Sequence, residues 1–156
     1  MKIALIQVGG TVDKYLKTGV EEYNKRLQHY TRFENFEIKD VKNAGKLSHD
    51  ELKKKEAVEI NKYLLASDFV VLLDERGKEY TSEKFAAFIQ QQMNSSVKRL
   101  VFIIGGAFGF SEDIYQRANS KLALSQMTFS HRMIRLLFTE QLYRAHTILR
   151  GEPYHH

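Results

Sequence analysis

The residues able to do chemistry fall in three places along this 156-residue chain. Gly105-Gly106-Ala107-Phe108-Gly109 is a glycine-rich loop leading into Ser111-Glu112-Asp113. Leu124-Ser125-Gln126-Met127-Thr128-Phe129 mixes small, polar and apolar side chains, and His131 follows it. The last part holds Glu140, Arg144 and the terminal Pro153-Tyr154-His155-His156. Glycines let a backbone approach a ligand closely. This loop lacks both Gly-Lys-Ser/Thr and G-x-G-x-x-G, so it is no phosphate loop. Glu112 and Asp113 at a helix start would also repel a phosphate from the helix dipole. A neutral or cationic ligand suits the loop better, and a plain tight turn remains the alternative. The 124–129 segment could read an adenine edge with its backbone while Leu73 and Met127 cover the faces, or it could be a simple connection. His131 at a helix start is disfavoured as imidazolium. It is either a neutral proton acceptor or a cap. On residues alone the tail is expected to fray.

Alternating strand and helix patterns must position these groups. Residues 2–8 and 99–104, and the run 69–73, read as buried strands; 33–41 and 121–124 complete the set. Helices are expected over 12–30 with Thr11 as N-cap and Val12 on its apolar face, and from Ser48 to about Leu65 with a Ser48/Glu51 capping box. Others are expected over 82–93, 111–119 and 131–149, while Asp74-Glu75-Arg76-Gly77 reads as a turn and Lys53, Lys54 and Lys55 as a solvated face. This order predicts one α/β domain over residues 1–156, a mostly parallel sheet with helices on both faces. Ligands of such sheets sit beyond the strands' carboxyl ends. Those ends are Leu73-Asp74, Ile104-Gly105 and Leu124-Ser125, which form one cleft if the three strands are neighbours.

Composition narrows the classes. The 43% apolar content, with 10 Phe and 8 Tyr, fills one core and excludes wholesale disorder. The absence of cysteine excludes disulfides, cysteine-ligated metals and thiol nucleophiles, and favours a cytoplasmic setting. No apolar run reaches the roughly 20 residues of a membrane span. The formal charge is +5, spread over both halves rather than gathered in a tail. A polyanion such as RNA is compatible with it. Apolar residues wrap far round the last helix (Met133, Ile134, Leu136, Leu137, Phe138, Leu142, Tyr143, Leu149), which suggests a second buried contact and hence a homodimer. Arg132, Arg135, Arg144 and Arg150 give that end a cationic character suited to RNA phosphates.

Ile104 to Gly109, Leu124-Ser125 to Thr128, His131, Arg135, Glu140 to Ala145 and Pro153-Tyr154-His155, in this order and spacing, resemble the ribosomal RNA large subunit methyltransferase H family, of the SPOUT class. The resemblance runs the length of the chain and departs at His156, where relatives carry Lys or Arg. It implies a C-terminal trefoil knot threading residues near 105–110 and 124–130 into a cofactor site. The implied cofactor is S-adenosylmethionine, held by Leu73, Gly105, Leu124, Ser125, Gln126, Met127, Thr128 and Phe129. The implied reaction is methylation of N3 of a pseudouridine in 23S rRNA on assembled ribosomes, by a homodimer without metal or membrane. Candidate catalytic residues are His155, Tyr154, His131, Glu140 and Arg144, with His155 favoured as base. The alternative function is a non-catalytic RNA- or ribosome-binding factor on the same fold; a flavodoxin-like enzyme is disfavoured by the missing phosphate loop.

Overall fold

The computed structural model describes residues 1–11 and 13–156; the expected helical position Val12 lies outside the described residues. Five strands form one sheet in the order β2-β1-β4-β3-β5, every neighbouring pair parallel. They are β1 (Lys2–Val8), β2 (Arg32–Ile38), β3 (Phe69–Glu79), β4 (Arg99–Ile104) and β5 (Ser120–Ala123). Alternation of side chains sends Ile3, Leu5, Phe102 and Ile104 to one face and Ala4, Ile6, Val101 and Ile103 to the other. The first face packs on α1 (Lys14–Leu27), α3 (Ser82–Asn94) and α5 (Met133–Leu149). The second packs on α2 (His49–Asn61) and α4 (Glu112–Arg117).

Local signals explain most element starts. Ser48 Oγ accepts from the Glu51 N–H at 3.2 Å while the Glu51 carboxylate accepts from the Ser48 N–H at 3.3 Å, the expected capping box. Thr81 caps α3 through the Lys84 N–H. Of the three consecutive lysines on α2, Lys54 and Lys55 are solvated, whereas Lys53 is half-buried and pairs with Asp50 at 3.4 Å.

Several expectations need correction. The N-cap of α1 is Asp13, not Thr11, because the Thr11 hydroxyl is buried and accepts from Arg135 Nη1 at 2.8 Å. Helix α2 stops at Asn61, and the chain turns through Lys62–Leu65, where the Asp68 carboxylate accepts from the Leu65 N–H at 2.7 Å. Residues 74–77 are not a turn. β3 continues to Glu79, pairing with β5 first through Val71, Leu72 and Leu73 and again, after a register shift, at Lys78 and Glu79. The passage is tight at Gly77, where an added Cβ would stand 2.6 Å from backbone atoms of Leu122. Only glycine fits so close a crossing.

Lying between α1 and α3, α5 buries Phe138, Leu142 and Ala145, and Leu136 fits against Gly19. Met133, Ile134, Leu136, Leu137 and Tyr143 remain only partly buried within one chain. Arg135 is fully buried, donating to Thr11 and to the Val8 carbonyl at 2.6 Å, so it cannot meet a phosphate.

Candidate active site at the carboxyl edge of the sheet

Because β4, β3 and β5 are neighbours, their carboxyl ends converge as expected. Together with the segment before α5 they enclose a cleft of about 680 Å³, within the range of small-molecule sites. Its walls include Leu73, Gly105, Leu124, Ser125, Met127, Thr128 and Phe129. Gln126, placed in the same set from sequence, is absent from the lining. Met127 and Phe129 keep 76% and 40% of their surface exposed, so this wall presents apolar surface to its mouth.

Side-chain ties hold the walls together. Thr128 Oγ1 donates to Glu75 Oε2 at 3.2 Å, joining the 124–129 loop to the far end of β3. The Tyr115 hydroxyl donates to the Asp74 carboxylate, and Arg76 donates to the Tyr115 oxygen at 2.6 Å. Burial alone would raise the Asp74 pKa; hydrogen bonds from Tyr115 and Arg76 overcome it and hold the carboxyl below its ordinary value. Sequence reading missed this trio because Asp74 and Tyr115 lie 41 positions apart.

The charge on the walls suits an adenosyl sulfonium. Asp74, Glu75 and Arg76 line the cleft; Arg76 is paired with Asp74, which leaves one acid in excess, and apolar surface comes from Leu73, Ile104, Leu122 and Leu124. Glu112 and Asp113 are exposed and stand outside the lining, so they do not set its charge. Gly105 lines the cleft, and a Cβ there would meet the Phe110 ring, another wall residue, at 3.0 Å.

Of the five candidate catalytic residues, the structure brings only His131 to the cleft. Burial lowers its pKa below the ordinary imidazole value, and Arg135 and Arg132 reinforce the effect. The ring is therefore neutral at pH 7 and able to accept a proton.

The other four gather along α5 and the tail. Arg144 lies about 20 Å along the axis from His131, at 1.5 Å per residue. Glu140 Oε1 accepts from Arg144 Nη2 at 2.6 Å and from the Tyr154 hydroxyl at 3.0 Å, and its Oε2 accepts from Gln141 at 2.8 Å. Arg144 Nη1 reaches His155 Nδ1 at 3.4 Å, and His155 Nε2 reaches Glu83 Oε1 at 2.8 Å. The expected fraying of the tail is thus overturned: Tyr154 packs edge-on against Tyr143, and Glu152 takes a hydrogen bond from Tyr30. Burial, then bonds with Tyr23 and Glu140, push the Tyr154 pKa far up, so its hydroxyl is a donor and not a base.

The fold and cleft define a class: a parallel α/β domain with a small-molecule cleft formed by loops beyond adjacent strand ends. Comparison with known proteins sharpens it. A family model described as predicted SPOUT methyltransferase matches residues 1–155. A protein of Cytophaga hutchinsonii called ribosomal RNA large subunit methyltransferase H is 54% identical over 156 residues, all of both chains. Proteins of the same name from Christiangramia forsetii and Parabacteroides distasonis are 53% and 51% identical, covering all of this chain and 99% of theirs. The chain belongs to the SPOUT methyltransferase family. Its methyl donor is S-adenosylmethionine.

Proposed function

We propose that this enzyme methylates N3 of a pseudouridine in large-subunit (23S) ribosomal RNA, in the cytoplasm and on assembled ribosomes. The observation that carries the reading is the cleft itself, with Leu73, Gly105 and the 124–129 loop converging beside a neutral His131. Full-length similarity to proteins named for large-subunit rRNA methylation supports the substrate class. Among the described residues no helix is long and apolar enough to cross a membrane.

When bound, S-adenosylmethionine supplies a methyl group on a sulfonium. Leu73, Leu124 and Met127 would cover the adenine faces, the 124–129 backbone would read its edge, and Asp74 and Glu75 provide negative charge nearby. The N3–H of pseudouridine is an imide, protonated at neutral pH, so the nitrogen must lose its proton before it can take a methyl group. His131 is the acceptor within the same chain's cleft. Glu140 and Arg144 on α5, and Tyr154 and His155 of the tail held against them, lie outside that cleft, and we assign them to the site of a second copy in a homodimer. There Arg144 would hold phosphate or polarise the base, with His155 oriented by Glu83 and Arg144. The reading includes a trefoil knot through 105–110 and 124–130; its support is membership of the SPOUT family.

Calorimetric titration with S-adenosylhomocysteine tests the reading. Micromolar binding, lost in Gly105→Val, is expected. RNA binding without any cofactor binding would favour the non-catalytic factor instead.

A further inference from the structure

The β2–α2 connection, residues 39–48, has no part in the reaction described so far, yet three contacts fix its surroundings beside the cleft. His49, the first residue of α2, stacks on Phe108 of the cofactor loop, with ring centroids 3.7 Å apart and planes 18° apart. Glu56, two turns further along α2, sets Oε1 2.6 Å from where a Cβ on Gly106 would stand. Asp40 Oδ1 lies 2.7 Å from the corresponding point on Gly9, and Arg135 Nη2 lies 3.6 Å from that same point.

Three lysines and one acid make up the charge of the segment. Asp40, that acid, is exposed, with its Oδ1 beside Gly9. Lys39, Lys42 and Lys46 are all exposed. The outward field of the connection is therefore cationic. Phe108 gives one face to His49 and remains 48% exposed. Cations that follow a backbone next to an aromatic face are the features that hold single-stranded nucleic acid. An acidic protein segment would use the lysines but would have no need of the stack.

We infer that Lys39, Lys42 and Lys46 grip the phosphodiester backbone of the RNA substrate, while the His49–Phe108 stack carries an unpaired base flanking the target. This rests on the proposed reading of the substrate as ribosomal RNA, and adds where on the enzyme the RNA lies. Each phosphate contact contributes about 0.7 to 0.9 to the log–log salt slope of binding.

The test uses the full chain with assembled ribosomes. Lys39→Glu/Lys42→Glu/Lys46→Glu should bind S-adenosylhomocysteine as the parent does, raise the KM for ribosomes at least about tenfold, and reduce the salt slope by about 2 to 3. Phe108→Ala should raise KM about tenfold and Phe108→Tyr should restore it. A control reversal at Lys2, Lys62 and Lys98, exposed at the opposite edge of the sheet, should leave KM within about twofold. Gly45 has open space around it and the chain has no cysteine, so a benzophenone on Gly45→Cys reports the neighbour directly. A crosslink to rRNA is expected. An unchanged KM and salt slope in the triple variant, an equal loss in the control, or a crosslink to a ribosomal protein or a second copy would each overturn the inference. If the parent itself binds no cofactor or methylates no ribosome, the functional reading fails; if the parent works and the triple variant matches it, the inference alone fails.

Discussion

Arg144 Nη1 stands 3.4 Å from His155 Nδ1, and Glu83 Oε1 stands 2.8 Å from the other ring nitrogen, Nε2. A guanidinium only donates, so this arrangement favours the tautomer with its hydrogen on Nε2, facing the Glu83 carboxylate. The Glu83 carboxyl is held low, at about 2, chiefly by its own backbone N–H and then by His155. The His155 ring is thus held between Arg144 and Glu83, off the cleft of its own chain. Accordingly His155→Ala should cut single-turnover methylation by about 10²-fold or more while leaving affinity for S-adenosylhomocysteine unchanged. His131→Ala should slow turnover by a similar factor, about 10²-fold, and should shift the acid limb of the pH–rate profile.

Glu140 is the hub of the tail, accepting from Arg144, Tyr154 and Gln141. Glu140→Gln loses the charge that two of these donors share. We expect a loss of about 1–3 kcal/mol, seen as a Tm lower by roughly 2–10 °C, and a tail newly open to carboxypeptidase.

Two buried groups give stability an opposed pH dependence. Burial, with Asp40 adding to it, pushes the Glu56 carboxyl up to about 7. The folded state binds that proton more tightly than the unfolded chain, so the contribution is present below pH ~4.5 and lost as pH rises through about 7. His146 goes the other way: burial, then Arg150, depresses it to about 4. Its contribution is present above pH ~6.5 and lost as pH falls towards about 4. The two windows overlap between about pH 4.5 and 6.5, where the trends oppose, so the parent's urea midpoint should change little between pH 5 and 6.5 and fall modestly by pH 8. In Glu56→Gln the fall towards pH 8 should vanish, and with His146 alone acting the midpoint should drop from pH 6.5 to pH 5.

Gly77→Ala places a methyl group 2.6 Å from the Leu122 backbone, where no flexible side chain can yield. Parting β3 from β5 should cost about 3 kcal/mol or more. Affinity for S-adenosylhomocysteine should fall with it, because Leu73 and Leu124 flank the same pair of strands. Unchanged denaturation and unchanged affinity would show that the crossing is looser than described.

The compact chain offers little area for gripping RNA, so selectivity is expected to draw on both subunits and on the ribosome's own shape. Protein-free 23S rRNA extracted from ribosomes that lack the methyl group should be methylated far more slowly than those ribosomes. Equal turnover on the two would refute this.

The strands, the sheet class and the cleft loops were legible because near-continuous apolar runs and glycine breaks are local signals. So was the capping box at Ser48. The outer half of β3 was not, since Asp74-Glu75-Arg76-Gly77 has the residues of a turn and becomes strand only by pairing with β5. Arg135 reads as a surface cation until Val8 and Thr11 are seen beside it. The tail reads as frayed because its partners, Glu140, Tyr143 and Glu83, come from elements that only tertiary folding brings near. His131 and the seven cleft-lining residues follow strand ends, so sequence could name them; their separation from Tyr154 and His155 depends on the length of α5.

Radiolabelled methyl transfer from S-adenosylmethionine to ribosomes from a strain lacking this protein, followed by mass mapping of the RNA, measures the central claim directly. The account predicts one new methyl group, on N3 of a single 23S pseudouridine, abolished by Gly105→Val. No transfer by protein that binds the ribosome, or a methyl group on any other atom, would contradict it.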